Sequence, residues 1–209
     1  MGCCDHGNDM ILDYEYVENG SLRSHLYGSD LPNISWAKRL EICIGAARGL
    51  LYLHTIAIIH CDVKSTNILL DENFVEKVTH FGLSKIEPDL DHASGGLAVH
   101  LSLPAEWINS AECARKWQKR EQLERIIDPN LLGRIRLDSL RKFGETTEEC
   151  LADYSVDRPS MSDVLWNLEY ALHLQEVFIL QDNPEENCII PIGEQINKFN
   201  HVDASSFAA

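Results

Sequence analysis

Between Ile58 and Leu70 the chain reads Ile-Ile-His60-Cys61-Asp62-Val63-Lys64-Ser65-Thr66-Asn67-Ile-Leu-Leu. An acid, a base and an amide fall within eight residues, and apolar residues lead in and out. A loop pinned at both ends by buried apolar side chains holds its polar groups in fixed directions. Catalysis needs that, because reacting groups must be placed to within about half an ångström. The plainer alternative is a buried loop whose Asp62 and Asn67 only cap turns.

The flanking elements must position this loop. Met10–Val17 reads as a strand broken by Asn19-Gly20. Asp13 falls mid-strand where an apolar residue is expected, and burying it unpaired would cost several kcal/mol. Ser21–Leu26 follows as a short helix capped by Ser21 or Asn19. Ser35 can cap a long helix from Trp36 to His54, in which Trp36, Leu40, Cys43, Ala47 and Leu50 recur at helical spacing and form a packing face. That helix delivers the chain to the loop. After Gly82, Pro88, the acidic stretch 87–91 and Ser94-Gly95-Gly96 mark a mobile connection. Helical periodicity returns over Trp107–Ile127 and over Leu137–Tyr154, the latter weakened by Gly144. Asp157-Arg158-Pro159-Ser160 caps a last helix with Pro159 in its first turn; Val164, Leu168, Ala171, Leu172 and Gln175 follow on one face. From about Asp182 the chain is polar and reads as a disordered tail.

A length of 209 residues suits one domain or part of a larger one. The 44% hydrophobic content can fill a core, and a net charge of −15 argues against nucleic acid or an anionic membrane as partner. Seven cysteines without Cys-x-x-Cys spacing read as reduced thiols of a cytoplasmic protein. No apolar run is long enough to span a membrane. Met1-Gly2-Cys3-Cys4 admits two readings, an acylated end or a strand. His6, where acylation prefers Ser or Thr, favours the strand.

The order His-x-Asp-x-Lys-x-x-Asn resembles the protein-kinase catalytic loop, whose usual form is His-Arg-Asp-Leu/Val-Lys-x-x-Asn. Thirteen residues beyond Asn67, His80-Phe81-Gly82 stands where kinases carry Asp-Phe-Gly. Residues from Gly2 to about Glu176 resemble the kinase domain of plant receptor-like kinases, the malectin-like receptor subfamily in particular. The matching stretches are Met10–Leu26, Leu40–Leu53, Ile58–Lys85, Ala114–Asn130 and Asp138–Leu174. The resemblance implies an α+β, protein-kinase-like fold with most of the helical large lobe and a remnant of the small β lobe. Residues 1–18 would supply small-lobe strands and hinge, 19–102 the first part of the large lobe, 103–176 the C-terminal helices, and 177–209 the tail. It also implies transfer of the γ-phosphoryl group of ATP, with Mg²⁺, to protein Ser or Thr. Asp62 would orient or deprotonate the acceptor hydroxyl, Lys64 would neutralise the moving phosphoryl group and Asn67 would bind Mg²⁺. Tyr14 would be the gatekeeper, Glu15 and Val17 would offer backbone groups to adenine, and Leu69 would lie beneath it. His60 and Phe81 would stack as supports. Partners would be a receptor kinase or a substrate protein, at the cytosolic side of the plasma membrane.

Several parts of the family pattern are absent. No Gly-x-Gly-x-x-Gly cradles phosphates, and no Val-Ala-x-Lys strand precedes the hinge. The Mg²⁺-binding Asp is His80, and imidazole is a poor ligand for a hard cation. Cys61 replaces the Arg that grips an activation-loop phosphate. From near Ser102 the sequence passes to Leu103-Pro104-Ala105-Glu106, so the end of the activation segment and the central helix are expected to be missing, and Arg158 to lose its Glu partner. These departures predict a catalytically impaired pseudokinase. The alternatives are a slow residual enzyme, a partner-binding scaffold or a gene remnant without function. A metal site of His80, Asn67 and Asp62 falls short of the usual ligand count.

Overall fold

Helix α2, Trp36–Thr55, is the element around which the rest packs. The computed structural model describes residues 2–6, 9–27, 31–86, 115–120 and 123–177, with the backbone alone for residues 2–6 and 9–12. Strands β1 (Gly2–His6) and β2 (Asp9–Asp13) form an antiparallel hairpin in which Gly2 faces Asp13 and His6 faces Asp9. The start is therefore a strand. Asp13 ends β2 with its side chain exposed, so the expected burial penalty does not arise.

The chain then runs extended to a turn at Asn19-Gly20, where Gly20 takes φ +61°. A side chain there would be strained, since L-residues rarely adopt positive φ. The turn is tied to β4 (Ile68–Leu70) by Asn19 N–H to the Leu70 carbonyl at 3.0 Å and Leu70 N–H to the Gly20 carbonyl at 2.8 Å. Helix α1, Leu22–Tyr27, follows. Its buried His25 holds the turn through Nε2 and the Asn19 carbonyl at 2.8 Å.

Ser35 caps α2 as expected, its hydroxyl accepting the Lys38 N–H at 3.3 Å. The helix buries more than one face. Trp36, Leu40, Ile44 and Ala47 pack with Leu131, Ile135, Leu140, Leu168 and Ala171. Ile42 points elsewhere, joining Leu22, Ile34 and Leu70 beneath the catalytic loop. Cys43 packs against the first cluster and Leu50 is only half-buried. Burial pushes the Cys43 thiol up to about 11, which marks it as an inert packing residue.

Beyond α2 come two short strand pairs that frame the site. β3 (Ile58–Ile59) pairs antiparallel with β6 (Lys85–Ile86), and β4 pairs antiparallel with β5 (Glu76–Val78). Two further helices complete the core, α3 at Leu137–Cys150 and α4 at Met161–Glu176. A buried relay joins the three long helices: Trp36 Nε1–H donates to Ser139 Oγ at 2.8 Å, and that hydroxyl donates to the Ala171 carbonyl at 2.8 Å.

Four sequence expectations need correction here. Helix α3 ends at Cys150, not Tyr154, which is 73% exposed. Gly144 is buried, and a Cβ there would meet Gln118 Oε1 at 2.3 Å and Leu123 Cδ1 at 2.4 Å, so the glycine serves close packing. Pro159 precedes the cap of α4, which is Ser160 in a reciprocal capping box with Asp163. The continuous helix expected to Ile127 is replaced by a short helical turn at 115–118 and a 3-10 turn at Leu123–Arg125. Its first part, the segment 87–106 and the predicted tail lie outside the described residues.

Candidate active site

The loop between β3 and β4 is built from buried polar residues. His60 is 2% exposed and Asn67 3%. His60 Nδ1 accepts the Asp62 N–H at 3.2 Å, so the ring carries its proton on Nε2 and donates it to the Thr79 carbonyl at 2.9 Å. The His60 ring meets Phe81 with centroids 4.9 Å apart, and the His60 carbonyl accepts from Ser84 Oγ at 3.1 Å. Cys61 takes φ +66°, in the left-handed region, which turns the backbone sharply between the two anchors.

Asn67 is the second anchor. Its Nδ2 donates to the Asp62 carbonyl at 2.9 Å and to Asp62 Oδ2 at 2.8 Å. Its own carbonyl accepts from Thr79 N–H at 2.9 Å and Thr79 Oγ1 at 3.1 Å. Lys64 Nζ lies 2.9 Å from the same Asp62 Oδ2. Lys64 and Asn67 thus converge on the Asp62 carboxylate. The Lys64 hydrogen bond, joined by that from Asn67, holds the Asp62 carboxyl below the usual range despite partial desolvation. Asp62 is therefore ionised, fixed in direction and able to accept a hydrogen bond or a proton.

Thr79 was not singled out from the sequence, yet it bonds His60, Asn67 and His80. Its one signal was its place directly before His80. Among the described residues His80 shares no hydrogen bond with Asp62, Lys64 or Asn67. It is exposed, takes φ +68°, and bonds Thr79 Oγ1 through Nδ1 at 3.2 Å.

The hinge side is open. Tyr14 is 68% exposed and Tyr16 80%. The Glu15 carboxylate is drawn sideways to Lys77 Nζ at 2.5 Å, which raises the Lys77 pKa. Leu69 is half-buried and bridges Ser21 next to the hinge, and Val17 is half-buried above it in sequence. Among the described residues neither the Glu15 carbonyl nor the Val17 amide enters a backbone hydrogen bond. Arg158 donates to the Ala152 carbonyl at 2.9 Å and the Asp153 carbonyl at 3.1 Å. Glu106 lies outside the described residues.

A family model described as protein tyrosine and serine/threonine kinase matches residues 1–124. The chain belongs to the protein kinase family. The receptor-like protein kinase HERK 1 of Arabidopsis thaliana is 52% identical over 98% of this chain and 30% of its own length. Receptor-like protein kinase THESEUS 1 of the same plant is 50% identical over 90% of this chain and 27% of its own length. The receptor-like kinase relationship read from the motifs is thus met, and so is the α+β kinase-like fold with a fragmentary small lobe. The chain spans less than a third of the length of these relatives. The pairing with HERK 1 runs over 251 positions, more than the 209 residues present, so this chain carries gaps against a kinase of ordinary length. Among the described residues no helix is long and apolar enough to cross a membrane, and no group of three metal-ligating side chains occurs.

Proposed function

We propose that this chain is a catalytically impaired kinase relative that works by binding, as a pseudokinase scaffold for a receptor kinase or one of its substrate proteins on the cytosolic side of the plasma membrane. In this reading residues 1–18 are a remnant of small lobe and hinge, 19–102 and 103–176 are the two parts of the large lobe, and 177–209 are a tail. The gaps fall at the end of the activation segment and the central helix.

The observation that carries the reading is the donor set beside Asn67. Mg²⁺ wants several hard oxygen ligands in octahedral array. Asn67 Oδ1 is the amide oxygen on offer, and Thr66 Oγ1 lies 3.4 Å from it. His80 brings an imidazole, and the nearby Asp62 Oδ2 already accepts from Lys64 and Asn67. These residues do not fit the ion, so no step is routed through it. A metal clamp on transferring phosphates contributes several kcal/mol, and each ~1.4 kcal/mol is tenfold in rate.

A second reading, slow residual phosphotransfer, is favoured by the intact Asp62–Lys64–Asn67 arrangement. Leu69, Glu15, Val17 and Tyr14 would then take their adenine-side roles. One assay separates the two. Purified chain is incubated with Mg²⁺, radiolabelled ATP and a general Ser/Thr protein substrate, beside Asp62→Asn. The scaffold reading expects equal background in both; transfer that disappears in Asp62→Asn overturns it.

A further inference from the structure

Between positions 115 and 125 the sequence places five cations against two carboxylates, in a chain whose net charge is −15. Elsewhere several surface cations have found acids, among them Lys38 with Glu41, Arg48 with Glu169 and Lys77 with Glu15. Here Arg115 pairs with Asp153 at 3.2 Å, but Lys116, Lys119, Arg120 and Arg125 meet no carboxylate among the described residues. Arg115, Lys116, Lys119 and Arg120 line one open cleft. The guanidinium carbons of Arg120 and Arg125 both lie over the Trp117 ring, 5.7 and 5.6 Å from its centre.

A guanidinium resting on an aromatic face keeps its N–H donors directed outward, in the plane that matches phosphate or carboxylate oxygens. The indole therefore orders two forks that would otherwise be mobile. Four cations so close together repel one another, and among the described residues no carboxylate offsets that cost. We propose that this surface docks a phosphorylated peptide segment of a partner protein. A phosphoryl group concentrates nearly two charges and three acceptor oxygens within the ~8 Å range over which charge acts at physiological salt. Extended polyanions fit less well, because a nucleic acid or an anionic membrane would also meet the negative charge of the rest of the chain. The proposal is independent of whether the Asp62 loop transfers phosphate.

The test is fluorescence anisotropy of a labelled phosphoserine peptide with the full chain at about 0.1 M salt, beside the same peptide without phosphate and vesicles containing phosphatidylserine. The phosphopeptide should bind at least about tenfold tighter than its unmodified form. Lys116→Glu with Lys119→Glu should lose that preference. Both positions are exposed, so the melting midpoint should stay unchanged. Arg120→Gln, also exposed, gives a milder second variant that should weaken binding in the same direction. Equal binding of the two peptides, failure of both to bind, unchanged binding by the variants, or capture by vesicles without phosphopeptide preference would each overturn the proposal.

Discussion

The two sides of the cleft differ in how they are made. On the catalytic-loop side, His60 and Asn67 are buried and bonded to Thr79 and Asp62, and Leu70 beneath them is fully buried. On the hinge side, Tyr14 and Tyr16 stand in solvent and Glu15 reaches outward to Lys77. The first side is held by contacts internal to the large lobe. The lesson is that the Asp62 loop takes its geometry from buried local partners, whereas residues 14–16 lie open to solvent.

That contrast can be broken most directly at His60. His60→Ala removes the ring against Phe81 and leaves the Thr79 carbonyl and Asp62 amide without their partner. Equilibrium urea unfolding should show a loss of about 2–4 kcal/mol. Asn67→Ala should cost about 1.5–3 kcal/mol by the same measurement, because a buried amide bonded to a carboxylate is lost.

A pH titration sharpens the point. The Asp62 pKa is lowered in the folded state, chiefly by Lys64. Its contribution is thus fully present above the ordinary unfolded value of about 3.9 and is lost as pH falls through the depressed folded value. Asn67→Ala should move that loss toward higher pH, as read by the midpoint of acid unfolding. The smallest effect belongs to the other side: Tyr14→Ala should change stability by no more than about 0.5 kcal/mol. A large loss there would mean that the hinge is structurally engaged after all.

The Ile58–Leu70 loop was legible because its residue types and spacing are both constrained; the structure sets His60 against Phe81 and brings Lys64 and Asn67 to Asp62. The start of α2 was legible for a local reason, the Ser35 cap ahead of an apolar period. What was not legible depends on neighbours distant in sequence. Ile42 looked off-face in a one-sided helix, but a second cluster under Leu70 receives it. Gly144 looked like a helix weakness until Gln118 and Leu123 were found against it. Asp13 looked mid-strand, but β2 ends on it with its side chain in solvent. The cationic run 115–125 was readable, yet the overall charge of −15 obscured it.

The proposal rests on the claim that the Asp62 loop is folded and that this chain does not bind Mg-ATP. Thermal unfolding of the purified chain, with and without Mg-ATP, tests both halves at once. The account predicts one cooperative transition at the same temperature in either condition. A midpoint that climbs with nucleotide, toward the ~2.7 kcal/mol that binding at about a hundred times Kd would add, would contradict it. So would the absence of any cooperative transition, which would mean that the buried His60–Asn67 framework does not hold.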